Sequence, residues 1–153
     1  MGVDTEQDHH WMREALTFAK AAEGQSEVPV GAVIVVEGRL LAAAHNRVIQ
    51  DNDPTGHAEI VALRTAAAKE GNYRLPDATL FVTLEPCAMC AGAIVHARIQ
   101  RVVYGAADPR FGAAGSLMDL LRDERLNHRC EVEGGVLAQE CGDLLSNFFR
   151  RRR

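Results

Sequence analysis

Hydrophobic positions along this chain recur with two different periods, and the switches between those periods mark out its secondary structure. From about Asp8 to Glu23, Trp11, Ala15, Phe18 and Ala22 fall at steps of four, three and four residues, which predicts an amphipathic helix with one apolar stripe. Val33–Val36 and Leu40–Ala44 flank Glu37-Gly38-Arg39, and the short Gly-containing break predicts a hairpin between two strands. The polar stretch from His45 to Gly56 holds Asn46, Asp51, Asn52, Asp53 and Pro54 and predicts a long loop. Helical spacing returns from His57 to about Glu70 on Ile60, Leu63 and Ala67, with Gly71-Asn72 as the stop.

Thr79–Thr83 then has the composition of a buried strand, Cys87–Ala97 favours helix and Arg101–Tyr104 gives a fourth strand. Strand, helix and strand at this spacing imply a right-handed parallel crossover. Asp108–Ser116 is irregular, Leu117–Leu121 is a short apolar segment, and Cys130–Glu133 adds a fifth strand. A final helix carries Leu137, Cys141, Leu144 and Phe148 on one stripe. Because the sheet opens with a hairpin and continues through a crossover, its strand directions must be mixed. The prediction is an α/β layered domain with about five strands.

Length leaves room for one domain of residues 1–153, with no internal linker and a basic tail at 149–153. Hydrophobic residues make up 47% and charged residues 25%, which argues against disorder and low-complexity architectures. The longest apolar run, Val30–Val36 with its Gly, is far shorter than the roughly 20 residues a membrane helix needs. The acidic first fifteen residues lack the pattern of a secretory leader, so the expected address is cytoplasmic. The formal charge of −4 is uneven: residues 1–97 hold 7 basic and 13 acidic side chains, whereas residues 98–153 hold 10 and 8. Fifteen of the 17 basic residues are Arg, the side chain suited to phosphate and to stacking on bases, although a terminal Arg run is equally compatible with a solvated tail.

Two short strings carry the candidate chemistry. His57-Ala58-Glu59 opens one helix, and Pro86-Cys87-Ala88-Met89-Cys90 stands where a strand passes into another. Each is weak alone, since a single C-x-x-C also suits a redox dithiol. Together, one His and two Cys give three ligands of the kind that leave tetrahedral zinc an open position for water, as catalytic sites require. A purely structural site would need a fourth ligand from Cys130, Cys141, His45, His96 or His128, none of which has the matching context. Glu59 is then the candidate acid/base, with an exposed first-turn Glu as the plain alternative. Cys130 and Cys141 read as buried small hydrophobes.

The H-x-E and P-C-x-x-C pair, with VPVGAVIV, DPTGHAEI, NYRLPDATLFVTLEPCAMCAGA, GAAGSLMDLL and the NFFR ending, resembles the bacterial tRNA-specific adenosine deaminase family (TadA type) over almost the whole chain. That resemblance implies a three-layer α/β/α cytidine-deaminase-like fold with a five-stranded mixed sheet. It also implies a homodimer that converts the wobble adenosine of a tRNA anticodon to inosine. It makes His57, Cys87 and Cys90 the ligands of one zinc per subunit and Glu59 the proton shuttle. Asn46 becomes a contact to the flipped-out base, and Asp108, Phe149 and Arg153 contacts to the anticodon loop. From the residues alone, Asn46 reads equally as a turn former, and Phe148 and Phe149 as packing aromatics, although adjacent positions point to different sides. His45, Val48, Ala88 and Phe111 depart from the family's usual residues, and the first two and Phe111 bear on anticodon fit. The competing readings are a zinc deaminase of a free base or nucleoside such as guanine or cytidine, a noncatalytic RNA-binding scaffold with structural zinc, and a dithiol redox protein.

Overall fold

A computed structural model describes residues 5–152. The elements, in chain order, are α1 (Thr5–Glu23), β1 (Gly31–Val36), β2 (Arg39–His45), α2 (Ala58–Glu70), β3 (Ala78–Leu84), α3 (Ala88–Ala97), β4 (Arg101–Ala106), β5 (Glu131–Glu133) and α4 (Ala138–Arg151). The strands form one sheet in the order β2-β1-β3-β4-β5. β1 runs antiparallel to both β2 and β3, while β4 runs parallel to β3 and to β5. The hairpin and the crossover therefore lie where the sequence pattern put them. Glu37 and Gly38 both adopt positive φ, 51° and 74°, in the two-residue turn that matches the twist of the strands it joins.

Alternation along β1 sends Val33 and Val35 to one face of the sheet and Ala32 and Ile34 to the other. The first face packs under α1 and α4, with Met12, Ala15, Leu16, Phe81, Val103 and Cys141. The second packs under α2 and α3, through Ala62, Leu63, Ala66, Ala91 and Ile94 against Leu80, Val82 and Val102. The result is the expected three-layer arrangement. Ile34, Leu80 and Ile94 are fully buried, each worth about 1.5–3 kcal/mol in surface withdrawn from water.

One local expectation shifts. In α1 the buried line is Met12, Ala15, Leu16, Ala19 and Ala22, so Trp11 and Phe18 flank it, half-buried, instead of centring it. Large aromatics weigh heavily in a periodicity, but a helix lying flat on a sheet brings its small residues closest. The segment Leu117–Leu121 forms neither helix nor strand beyond an isolated bridge of Asp119 to Ala114. Cys130 and Cys141 are both free and buried, as expected of small hydrophobes. No helix among the described residues is long and apolar enough to cross a membrane.

Candidate active site

The ends of β1 and β3 and the starts of α2 and α3 converge on a cavity of about 500 Å³. His57, Glu59, Cys87, Asn46 and Asp108 line it, together with Glu27, Val48, Ile49, Glu85 and Phe111. His57 and Cys87 each occupy the position just before a helix, with extended backbone at φ −69° and −78°, and Cys90 lies in the first turn of α3. This explains how residues two apart can serve one site. Within a regular helix His57 and Glu59 would diverge, but His57 stands outside the helical turn while Glu59 is inside it.

His57 Nδ1 is 3.6 Å from Cys87 Sγ and 3.4 Å from Cys90 Sγ. In a tetrahedral zinc site with metal–nitrogen and metal–sulfur bonds of about 2.0 and 2.3 Å, the nitrogen–sulfur edge is roughly 3.5 Å. Side-chain spacing and donor chemistry therefore both suit a metal of that kind. A hydrogen bond from Cys90 draws the Cys87 thiol down to about 3, with His57 reinforcing it, so one ligand already favours the thiolate. The same bond, with burial, pushes the Cys90 thiol upward, and the bond to Cys87 raises His57. Both sulfurs sit at the start of α3, where unpaired N–H groups favour negative charge. Among the described residues no fourth His, Cys, Asp or Glu joins the trio. His45 Nδ1 is engaged with the Asn46 carbonyl and His128 Nε2 with the Ile99 carbonyl.

Glu59 is buried, and withdrawal from water pushes its carboxyl up to about 7. An ordinary first-turn Glu facing solvent would show no such shift. The plain alternative raised by the sequence does not describe this side chain.

Asn46 reaches twelve residues forward: its Oδ1 accepts the N–H of Ala58 at 2.8 Å, satisfying the first orphan donor of α2. Because the partner is a donor, the amide oxygen must be the atom facing it, which leaves the NH₂ end toward the cavity. Asn46 thus forms no local turn with this oxygen but caps α2 from across the loop, and it lines the cavity as well. Asp108 also lines the cavity while its Oδ1 accepts the N–H groups of Arg110 and Phe111, bracing its own turn.

The carboxy-terminal residues lie apart from this constellation. Phe148 is buried, whereas Phe149 is 50% exposed on α4 and is not part of the cavity wall. Arg151 pairs with Glu23, and the Arg152 guanidinium sits 4.3 Å from the centre of the Phe148 ring. Arg153 falls outside the described residues.

Two cavity residues escaped sequence reasoning. Glu27, just before β1, is 1% exposed and accepts the N–H groups of Ile49 and Gln50 at 3.3 and 2.8 Å, anchoring the loop after β2. Glu85, just after β3, is 2% exposed and accepts from Asp108, Ala114 and Ser116. Burial alone would raise the Glu85 carboxyl, but bonds from the Ser116 hydroxyl and from the three backbone N–H groups outweigh it and hold the group below its usual range. The available signal was an acid interrupting an apolar run, as in Ser26-Glu27-Val28 and Leu84-Glu85-Pro86.

Comparison with known proteins adds an independent observation. A family model described as MafB19-like deaminase matches residues 6–153. The tRNA-specific adenosine deaminase of Bacillus subtilis (strain 168) is 50% identical over 147 residues, 96% of this chain and 91% of the relative. That of Haemophilus influenzae is 51% identical over 152 residues, 99% and 88% of the two chains. A solved structure from work on A-to-I editing by tRNA:A34 deaminases at the wobble position superposes with a TM-score of 0.86 at 45% identity, covering 89% of this chain and 99% of that one. A guanine deaminase from Bacillus subtilis superposes at 0.62 with 41% identity, over 64% and 63% of the respective chains.

Proposed function

Since the chain belongs to the MafB19-like deaminase family, with near-full-length relatives that are tRNA-specific adenosine deaminases, we propose that it hydrolyses the wobble adenosine of a tRNA anticodon to inosine and ammonia. The observation that carries this is a buried Glu59 beside a His57, Cys87 and Cys90 trio with zinc-like spacing, in a cavity large enough for a base. We read the chain as one zinc-dependent deaminase domain of residues 1–153, working in the cytoplasm, with 149–153 as a basic tail.

In this reading His57 Nδ1 and the sulfurs of Cys87 and Cys90 hold one zinc ion per subunit. Bound there, zinc supplies a Lewis acid that makes a water nucleophilic near neutral pH. Glu59 accepts the proton released as that water attacks C6 of adenine, and passes it to the ring nitrogen. It then takes the remaining proton from the hydroxyl added at C6 and delivers it to the departing amine, so that the C6–N bond breaks, ammonia leaves and the C6 carbonyl of inosine remains. A carboxyl near pH 7 is suited to both steps, because it neither holds nor refuses its proton strongly. The free NH₂ of Asn46 donates to the base and fixes its position. The target must be unstacked to enter the cavity, and an anticodon loop lowers that cost because its bases are already single-stranded. Asp108 flanks the entrance. Phe149, exposed on α4, and Arg153 beyond it are assigned to more distant parts of the loop.

A homodimer belongs to the same reading. The groove between α2 and α3, lined by Ile60, Leu63, Tyr73 and Ala93, is a suitable contact face, and Tyr73 there is 74% exposed.

The test is incubation of the purified protein with an anticodon stem-loop bearing adenosine at the wobble position, read by nucleoside mass spectrometry, with guanine and cytidine as parallel substrates. Inosine from the RNA alone supports the reading. Ammonia from guanine or cytidine with no inosine from the RNA overturns the substrate and favours a free-base or nucleoside deaminase.

A further inference from the structure

The irregular segment from Asp108 to Ser116 supplies one wall of the cavity through Asp108 and Phe111, yet it contains no helix or strand to hold it in place. Beside its bonds to the neighbouring stretch 117–122, four of its hydrogen bonds converge on one buried side chain. Glu85 Oε1 accepts the Asp108 N–H at 3.0 Å and the Ser116 hydroxyl, and Oε2 accepts the N–H groups of Ala114 and Ser116, each at 3.0 Å. Four donors occupy an acceptor set that only a carboxylate provides. The segment also wraps closely over that group: a Cβ at Gly112 would lie 2.3–2.5 Å from the Glu85 carboxylate atoms, so only glycine passes there. One further bond, from Ala113 N–H to the Pro86 carbonyl at 2.7 Å, joins the segment to the residue before Cys87.

Glu85 lies two residues from Cys87 in the chain, so the same short stretch carries a candidate metal ligand and the anchor of the opposite wall. We propose that Glu85 is a positioning residue that sets the Asp108–Phe111 wall at a fixed distance from the candidate metal centre, and so governs how tightly the nucleotides around the target base are held. The proposal rests on the deaminase reading above. Glu85 touches neither substrate nor metal; it acts through Asp108 and Phe111. Phe111 is 63% exposed at the rim, an aromatic face free to stack on a neighbouring base, and its backbone N–H is fixed by Asp108 Oδ1.

Glu85→Gln is the direct test, because the amide keeps the size of the side chain but, in either orientation, turns one acceptor into a donor that faces at least one backbone N–H, that of Asp108 or those of Ala114 and Ser116. Two further variants accompany it: Gly112→Ala, whose Cβ drives the wall off its carboxylate, and the milder Ser116→Ala, which removes one donor and serves in case the other two do not fold. For each, KM and kcat on the anticodon stem-loop, metal content, and backbone amide exchange are measured on the full chain.

The expected result is a KM raised at least tenfold for Glu85→Gln and Gly112→Ala and severalfold for Ser116→Ala. In each, kcat stays within threefold of wild type, and one metal is retained per chain. Amide exchange should quicken at Asp108, Ala114 and Ser116 but not in β3 or α3. An unchanged KM overturns the proposal. So does a fall in kcat that tracks metal loss, because Glu85 would then only support the ligand corner. If the wild type itself makes no inosine, the deaminase reading fails separately, and the exchange pattern still decides whether Glu85 holds the wall.

Discussion

Replacing Asn46 separates its bond to Ala58 from its proposed contact to the base. In Asn46→Ala the N–H of Ala58, a fully buried residue, loses its only acceptor at the start of α2. An orphaned buried donor together with a lost helix cap costs about 2 kcal/mol. In a domain of this size that lowers Tm by roughly 4–8 °C. Asn46→Asp keeps an oxygen for Ala58 and caps a helix about as well as Asn. It removes the NH₂ donor, however, and adds a carboxylate to a cavity already lined by Glu27, Glu59, Glu85 and Asp108. Loss of a donor aimed at the reacting base should lower kcat/KM by about 100-fold or more. Urea unfolding at fixed protein concentration, paired with inosine formation from the stem-loop, reads both effects. The expected pattern is a destabilised and inactive Ala variant beside an Asp variant within about 1 kcal/mol of wild type and equally inactive. An Ala variant of unchanged stability would refute the capping argument. An active Asp variant would refute the donor's part in binding.

Other perturbations probe the scaffold and the tail. Asp8 and Arg101 make a double-toothed pair at 2.9 and 2.7 Å between α1 and the start of β4, with only 5% and 17% of the side chains exposed; Asp8→Ala should cost about 3 kcal/mol in urea, and adding Arg101→Met should recover most of it. A loss below about 1 kcal/mol would show that the guanidinium finds water instead. Because Phe148 is part of the core and Phe149 is not, truncation after Phe148 should leave Tm within a few degrees while sharply raising KM for the stem-loop, whereas truncation after Asn147 should also destabilise the fold. Chelation should abolish activity and expose Cys87 to iodoacetamide at pH 8. Cys130 and Cys141, whose thiols burial pushes to about 11 and about 12, should stay unlabelled in the folded protein by mass spectrometry.

The sequence made some parts of this molecule plain and concealed others, for physical reasons. Regular elements were legible because their periodicities are local: Gly71 closes α2 in the left-handed conformation, and Val33 and Val35 alternate with Ala32 and Ile34 across the sheet. The clustering of His57, Cys87 and Cys90 was legible because these residues come from two helix starts whose spacing is written in the chain. The burial of Glu59 was not, since it follows from how α2 packs on the sheet. Nor was the capping bond of Asn46, whose partner Ala58 lies across a loop. Glu27 and Glu85 stayed hidden because a lone acid beside an apolar strand has no periodic signature; its meaning comes from backbone donors 22 to 31 residues away. The buried line of α1 was misjudged by one position because aromatic side chains outweigh alanines in a pattern, while close packing against a sheet prefers the alanines.

The account turns on Glu59 moving protons for hydrolysis at C6 of an adenine in RNA. Single-turnover inosine formation from an anticodon stem-loop, measured for the wild type and for Glu59→Gln with one metal per chain confirmed in both, tests this most directly. The expected result is rapid inosine from the wild type and a rate at least about 1,000-fold lower from the variant, with RNA binding preserved. Comparable inosine from the metal-loaded Gln variant would contradict the account.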